Sequence, residues 1–309
     1  MHRRGVLALA AALGAGALAG CHGPADRLRV GSQKGGTKAL MLASDALAGA
    51  PYAVEWSEFP AAQNLLEAIS SGAVDVGLVG DGPFAFAWQA GQPILAVAAR
   101  RVVDRPKETL AILVPGASPA RTLADLAGRR LATTRGSIGH YLALRALHQA
   151  GLSADAVHFV FLSPSDAAAA LRSGAVAAWA TWTPYTVLAL ADGARVLVDG
   201  HDLMVTTGFD VANRQAVADK RATLTDFLQR ESRAQQWALS HREAYAQVLA
   251  RETGMPLAIT RVVAERNAFQ AAPLDKALIA AQQQVVDTYA WGKALVPHRT
   301  VAEAFQPLI

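Results

Sequence analysis

Cysteine occurs once in the 309 residues, at Cys21. A disulfide within the chain is therefore excluded, as is any cysteine-cluster metal centre. The eight histidines are scattered without metal-ligand spacing, and no His-Glu-x-x-His segment occurs. A Gly-x-Ser-x-Gly elbow is also missing: Gly136 and Gly139 lie near Ser137, but Arg135 stands where the first glycine is needed. The 32–36 turn lacks the Gly-Lys-Ser/Thr ending of a P-loop. Charge is sparse, at 17% of residues and a net +4. Arg3 and Arg4 fall in a leader-like segment, and without them the balance is 27 basic to 25 acidic. No Lys/Arg stripe interleaved with aromatics occurs, which argues against a nucleic-acid partner. These absences favour binding over catalysis and call for no cofactor and no metal.

What is present begins with a leader. Met1-His2-Arg3-Arg4 is basic, residues 5–17 are almost wholly Ala, Leu and Gly, and Leu18-Ala19-Gly20-Cys21 follows. A basic start, a short apolar run and a small-residue cleavage site read as a secretory signal over residues 1–20. The run is short for a transmembrane helix. Its last four residues resemble the bacterial lipoprotein box. That resemblance implies that Cys21 is acylated and ties the protein to a membrane in the periplasm or at the cell surface; plain secretion is the alternative. Residues 21–27 read as a linker.

The body is 52% hydrophobic in the whole-chain count, enough for a sizeable core. Apolar runs read as strands at 28–31, 52–56, 74–79, 94–99, 109–114, 131–134, 157–162, 176–182 and 195–198, with an apolar pair at 210–213. Helical patterns lie between them. Thr37 is expected to cap one helix; residues 60–71 form another; Asp81 and Pro83 open a third as cap and first turn. Residues 141–150, 167–172 and 185–191 follow suit. Beyond 214 the pattern is helical to the end, with 224–251 as one long helix or two joined ones. Such alternation predicts an α/β protein of two lobes, each a mostly parallel sheet flanked by helices, with a ligand cleft between them. The expected lobes are 28–113 plus 211–309, and 114–210, with crossings near Val114 and Val211.

Five turns follow strands and begin helices: 33–36, 80–83, 134–140, 163–166 and 182–185. In parallel sheets ligands bind beyond the C-terminal strand ends, so these turns should ring one cleft. The 133–141 stretch (Thr-Thr-Arg-Gly-Ser-Ile-Gly-His-Tyr) is the most suggestive. Glycines expose backbone N–H groups, and a helix N-terminus attracts an anion. Read alone it is more readily an ordinary helix capped by Ser137, and the four sibling turns shift the balance to an anion seat. Asp81 and Asp166 have cap readings beside their contact readings, because a carboxylate repels an anion. Gln33 could bond only neighbouring backbone, and His140 could point away. Trp179 and Trp182 are three apart in a strand and face opposite ways, so only one lines the cleft; Trp182, nearer the strand end, is the choice.

Several blocks now look familiar in combination: Leu28-Arg29-Val30-Gly31-Ser32-Gln33-Lys34-Gly35, Trp56-Ser57-Glu58-Phe59-Pro60, Gly80-Asp81-Gly82-Pro83, Arg135-Gly136-Ser137 with His140, Ser163-Pro164-Ser165-Asp166-Ala167, and Trp179-Ala180-Thr181-Trp182-Thr183-Pro184-Tyr185. Over residues 28–300 the chain resembles the aliphatic sulfonate-binding proteins of ABC importers, within the nitrate/sulfonate/taurine solute-binding family. The resemblance implies a two-lobed, periplasmic-binding-protein fold of type II, a monomer that closes on an organosulfonate and delivers it to a permease and ATPase. It places the sulfonate near Gln33, Gly80, Asp81, Ser137 and His140, with Trp182 and Tyr185 shaping the organic end. Two departures stand out. Thr183-Pro184-Tyr185 replaces a frequent Asp-Pro-Tyr, and Val176-Ala177-Ala178-Trp179 replaces Val-Asp-Ala-Trp. A carboxylate for the amine of taurine is missing there, which favours a sulfonate with an uncharged tail. Two other readings stay open: the same fold carrying nitrate, a carboxylate or a vitamin precursor, and an enzyme on a related fold.

Overall fold

The alternation at the start of the body folds into β1 (Arg27–Gln33), with Leu28 and Val30 fully buried. The computed structural model describes residues 27–104 and 106–309; the signal segment and Cys21 lie outside the described residues. After β1 come α1 (Thr37–Ala43), β2 (Ala53–Phe59), α2 (Ala62–Ser70), β3 (Val76–Gly80), α3 (Asp81–Gln89) and β4 (Ile94–Val102). A second series follows: β5 (Leu110–Pro115), β6 (Arg130–Thr133), α4 (Ile138–Gln149), β7 (His158–Phe161), α5 (Pro164–Arg172), β8 (Ala178–Trp182), α6 (Tyr185–Ala191) and β9 (Ala194–Asp199). The chain then returns through β10 (Thr207–Asn213) to α7 (Arg214–Asp219), α8 (Arg221–Ser240), α9 (Arg242–Thr253), α10 (Leu257–Arg266), β11 (Phe269–Ala272) and α11 (Lys276–Trp291).

Two sheets result, ordered β11-β4-β10-β3-β1-β2 and β7-β6-β8-β5-β9. Both are mixed, with four strands of each running the same way. The internal antiparallel strand is β10 in the first and β5 in the second, and β11 adds an antiparallel edge to the first. Helices cover both faces of each sheet. In the first lobe, Leu28 and Val30 pack with Met41, Phe227 and Leu249 on one side, while Leu65, Ile69, Trp88 and Phe209 fill the other. In the second, Ile112 and Leu131 pack against Leu142 and Leu147 of α4, and Trp179 packs against Leu171 of α5 on the opposite face. Trp179 and Trp182 do face opposite ways, as strand geometry requires.

Several local expectations are corrected. The boundaries at 113/114 and 210/211 fall inside strands: β5 pairs wholly within the second sheet and β10 wholly within the first. The crossings are at 103–109 and 200–206. An apolar run carries no mark of which sheet will accept it. The stretch beyond 214 is not purely helical, because Phe269-Gln270-Ala271-Ala272 pairs with the edge of β4; four residues are too few for a period to show. Gly36 and not Thr37 precedes α1, Gly80 and not Asp81 precedes α3, and Ser163 and not Asp166 caps α5, its hydroxyl accepting the Asp166 N–H at 3.2 Å. Of the two readings open for 224–251, two joined helices is the one found, as α8 and α9.

Candidate functional site

A cavity of about 190 Å³ lies where the C-terminal ends of both sheets meet. Four of the five expected turns reach it. Gln33 ends β1 and Lys34, Gly35 and Gly36 come after it; Gly80 ends β3 and Pro83 lies in the first turn of α3; Ser137 caps α4 and Ile138 opens it; Trp182 ends β8 and Thr183 to Tyr185 lead into α6. The 163–166 turn is not among the lining residues. Its strand, β7, is the outer edge of the second sheet, remote from the central strands that open on the cleft.

Chemically the cavity is apolar in its body and electropositive at its rim. Pro60, Leu78, Val102, Leu110, Trp182 and Phe269 give it walls. Among the described lining residues Lys34 is the one charged side chain, and none is a carboxylate. The first N–H groups of α4 have no acceptor within their own helix, and Ser137 and Ile138 bring that end to the cavity. Gln33 is held by its amide nitrogen, which donates to the Leu78 carbonyl at 3.1 Å. Trp182 stands edge-on to Tyr185, with ring centroids 5.7 Å apart.

Ser137 lines the cavity and is also bonded within its own turn, whereas His140 lies behind that turn. The Ser137 hydroxyl accepts the His140 N–H at 3.1 Å, so it is the cap of α4, and what it presents to the cleft is helix end more than hydroxyl. His140 is buried and does not line the cavity. Its ring packs against Phe159, Phe161 and Tyr289, and its Nδ1 accepts the Gly136 N–H at 3.3 Å. Burial, with Arg135 nearby, pulls its pKa down to about 4, so the ring is neutral and serves as an acceptor behind the turn. Position in the first helical turn was readable from sequence; the direction of the side chain was not.

Asp81 also leaves the cavity. Its carboxylate accepts the Gly82 N–H at 2.7 Å and the Thr207 N–H at 3.1 Å, on the far side of the Gly80 peptide. It lines a separate hollow with Tyr141, Arg145 and Gln282. Burial pushes it up to about 7 even though both N–H groups pull the other way. Sequence reasoning overlooked Gln63, Thr207, Asn267 and Phe269, which all line the cavity. The strand-end rule would have found Gln63, one turn beyond β2; Asn267 and Phe269 depend on β11, which had no visible period.

The lobes touch across the site. Tyr185 donates its phenol to the Pro60 carbonyl at 2.9 Å, and Gln63 donates to the Arg135 carbonyl at 3.2 Å. Tyr289, fully buried in α11, donates to the Ser137 carbonyl at 2.8 Å. The ends of α3 and α4 meet so closely that a Cβ on Gly82 would lie 2.8 Å from the Tyr289 hydroxyl and 3.3 Å from the Ile138 Cα. The first crossing is tied to the second lobe: the Glu108 N–H donates to the carboxylate of Asp199, the last residue of β9, at 3.0 Å, and the Thr109 carbonyl accepts the Thr183 N–H at 2.8 Å. Arg266 of α10 pairs with Glu108 and ties this crossing to the first lobe.

Two lobes with matching strand order, two chain crossings and a cavity built from facing strand ends and a helix N-terminus define a two-lobed solute-binding protein. A family model described as NMT1/THI5 like matches residues 53–245. The putative aliphatic sulfonates-binding protein of Escherichia coli (strain K12) is 37% identical over 280 residues, covering 89% of this chain and 86% of that protein. The alkanesulfonate-binding protein of Xanthomonas axonopodis pv. citri, solved bound to MOPS, superposes with a TM-score of 0.84 at 35% identity, over 92% of this chain and 99% of that one. The periplasmic aliphatic sulphonate binding protein of Escherichia coli gives 0.80 at 34% identity, over 91% and 92%. The chain belongs to the NMT1/THI5-like family, among its nitrate/sulfonate/taurine solute-binding proteins.

Proposed function

We propose that this protein captures an organosulfonate with an uncharged organic tail outside the cytoplasm and hands it to an ABC permease and its ATPase. The observation that carries the reading is the lining of the cavity: a helix end and Lys34 for the anion, apolar walls for the body, and no carboxylate among the described lining residues. The relatives named for aliphatic sulfonates and alkanesulfonates, one of them solved with MOPS, support it. The amine of taurine would meet no counter-charge here, so taurine is the weaker ligand. Nitrate would leave the apolar walls unfilled. Gln33, Gly80, Ser137, Trp182 and Tyr185 are the proposed contacts from the expected set, joined by Lys34. The lobes close around the crossings at 103–109 and 200–206, and the protein works as a monomer tethered through acylated Cys21.

A thermal-shift panel of butanesulfonate, MOPS, taurine, nitrate and succinate tests the ligand. At about 100 times the dissociation constant, a ligand stabilises by roughly 2.7 kcal/mol. Stabilisation by butanesulfonate and MOPS, above taurine, is expected. Stabilisation by nitrate or succinate alone would sink the sulfonate reading. For the tether, Cys21→Ser should move the protein from the membrane to the soluble extracytoplasmic fraction; unchanged membrane association would refute acylation.

A further inference from the structure

Beneath the 33–36 turn lies a buried ionic cluster that the ligand-binding role leaves unused. Glu231 of α8 and Arg100 of β4 are 1% and 2% exposed, and Asp210 of β10 is 1% exposed. Arg100 donates through Nε and Nη2 to Asp210 Oδ2, at 3.0 and 2.6 Å. Glu231 Oε2 sits 2.7 Å from the same Nη2, while Glu231 Oε1 accepts the Thr37 hydroxyl at 3.0 Å. Thr37 is the first residue of α1, directly after Gly36, and it is buried. The Ser32 hydroxyl accepts the Lys38 N–H at 3.1 Å, and the Lys34 N–H donates to the Phe59 carbonyl at 3.3 Å, so β1 and β2 hold one side of the turn. The hydrogen bond from Thr37 to Glu231 is the tie that joins the first residue of α1 to α8. The partners place it well: β4 is the strand that leaves for the second lobe, and β10 is the strand that returns.

The charge count of the cluster is unbalanced. One guanidinium faces two carboxyls in a site without water access, so both cannot ionise cheaply. The groups facing Glu231 are Arg100 from β4, Asp210 from β10 and Thr37 from α1. The strand β11 also packs near α8 and contributes no titratable residue, and Lys38, beside Thr37, is engaged by Glu58 and Glu252. Burial pushes the Glu231 carboxyl up to about 8 against the pull of Arg100, with Asp210 adding to the rise. One guanidinium between two carboxyls favours a proton on Glu231, and with that proton in place the turn above carries no unbalanced buried negative charge.

We infer that Glu231, acting through Thr37, positions the 33–36 turn for the ligand, and that the proton on Glu231 is linked to anion binding. Loss of that proton leaves a net negative charge under the turn that receives an anion, so affinity falls as pH rises through the titration of Glu231. Linkage is reciprocal: the bound anion must in turn draw a proton onto the cluster. The direction of this inference rests on the anion reading above, and its test separates the two.

The test uses the full chain, with butanesulfonate as probe, in phosphate and Tris buffers to avoid sulfonated ones. Titration calorimetry of the wild type from pH 7 to pH 9 should show affinity falling by about fivefold or more, with proton uptake on binding near pH 8. Glu231→Gln keeps an oxygen for Thr37 and cannot ionise; its affinity should stay flat with no linked proton. An equal decline and equal uptake in Glu231→Gln overturn the proton linkage. Ligand-free hydrogen exchange reads the positioning alone. Amides of residues 38–40 should lose protection between pH 7 and pH 9 in the wild type, not in Glu231→Gln, and at all pH values in Thr37→Val, with Thr37→Ser restoring it. Wild-type protection in Thr37→Val overturns the positioning role. If butanesulfonate does not bind the wild type at any pH, the sulfonate reading fails, and the exchange result still decides whether Glu231 holds the turn.

Discussion

The phenol of Tyr185, on the second lobe, donates to the carbonyl oxygen of Pro60, on the first, at 2.9 Å. With the Gln63–Arg135 bond it joins the two lobes beside the cavity, and under the proposed closure it belongs to the closed state. Tyr185→Phe keeps the ring against Trp182 and removes only the donor. The closed state should lose roughly 0.5–1.5 kcal/mol, and sulfonate affinity about two- to tenfold. Calorimetry checks the affinity; an unchanged value would mean that the bond contributes nothing to closure.

Gly82 is a spacer between α3 and α4. A Cβ there would meet the Tyr289 hydroxyl at 2.8 Å and the Ile138 Cα at 3.3 Å. Gly82→Ala should therefore wedge the seam open and weaken ligand binding. Small-angle scattering with saturating ligand should show a larger radius than the wild type. An identical radius and affinity would show that the seam absorbs a methyl group.

Ser137 tests helix end against hydroxyl. Because its Oγ already accepts the His140 N–H, Ser137→Ala should cost about 1 kcal/mol of fold stability through the lost cap. The N–H groups of the α4 end remain, so affinity should fall less than stability does. A large loss of affinity with unchanged melting temperature would instead make the hydroxyl a direct ligand contact.

Two buried groups give opposite slopes to stability against pH. The Asp81 pKa is raised to about 7 from an ordinary value of 3.8, so the native state binds the extra proton in that window; stability falls as pH rises from about 4 to about 7. His140 is lowered to about 4 from 6.5, so the unfolded state binds the extra proton there; stability falls as pH drops from about 6.5 to about 4. Asp81→Asn should remove the first slope and leave the second, making stability rise more steeply with pH between 4 and 6.5. Chemical denaturation at a series of pH values measures this; an unchanged profile would refute a protonated Asp81.

Much of the architecture could be read from residues alone, and the reason is local. Turns such as 33–36 and 134–140 announce themselves by glycines and hydroxyls set between an apolar run and a helical pattern. The rule that ligands sit at such strand ends then names most of the cavity. What escaped depended on neighbours distant in sequence. The pairing partner of β5, the short β11 at the edge of β4, and the outward place of β7 are decided by which strand lies alongside, and single-strand patterns are silent on that. His140 and Asp81 were placed near the correct backbone, yet their side chains turn away from the cleft. The Phe159–Phe161–Tyr289 cluster draws one, and the Thr207 N–H draws the other. The cluster of Thr37, Arg100, Asp210 and Glu231 joins four elements spread over nearly two hundred residues, and no spacing could reveal it.

The way the chain threads its two sheets also orders its assembly in time. Every strand of the second sheet lies in one continuous stretch between β5 and β9, whereas the first sheet is split, with β10 seated between β3 and β4. A nascent chain that has passed residue 199 holds all the strands of the lobe made second, while the lobe begun first still has a gap at its centre. The lobe begun first is therefore completed last, and until β10 arrives β3 and β4 have unpaired edges facing each other. Any step that keeps the chain extended before it folds also protects those edges from pairing with a neighbouring molecule.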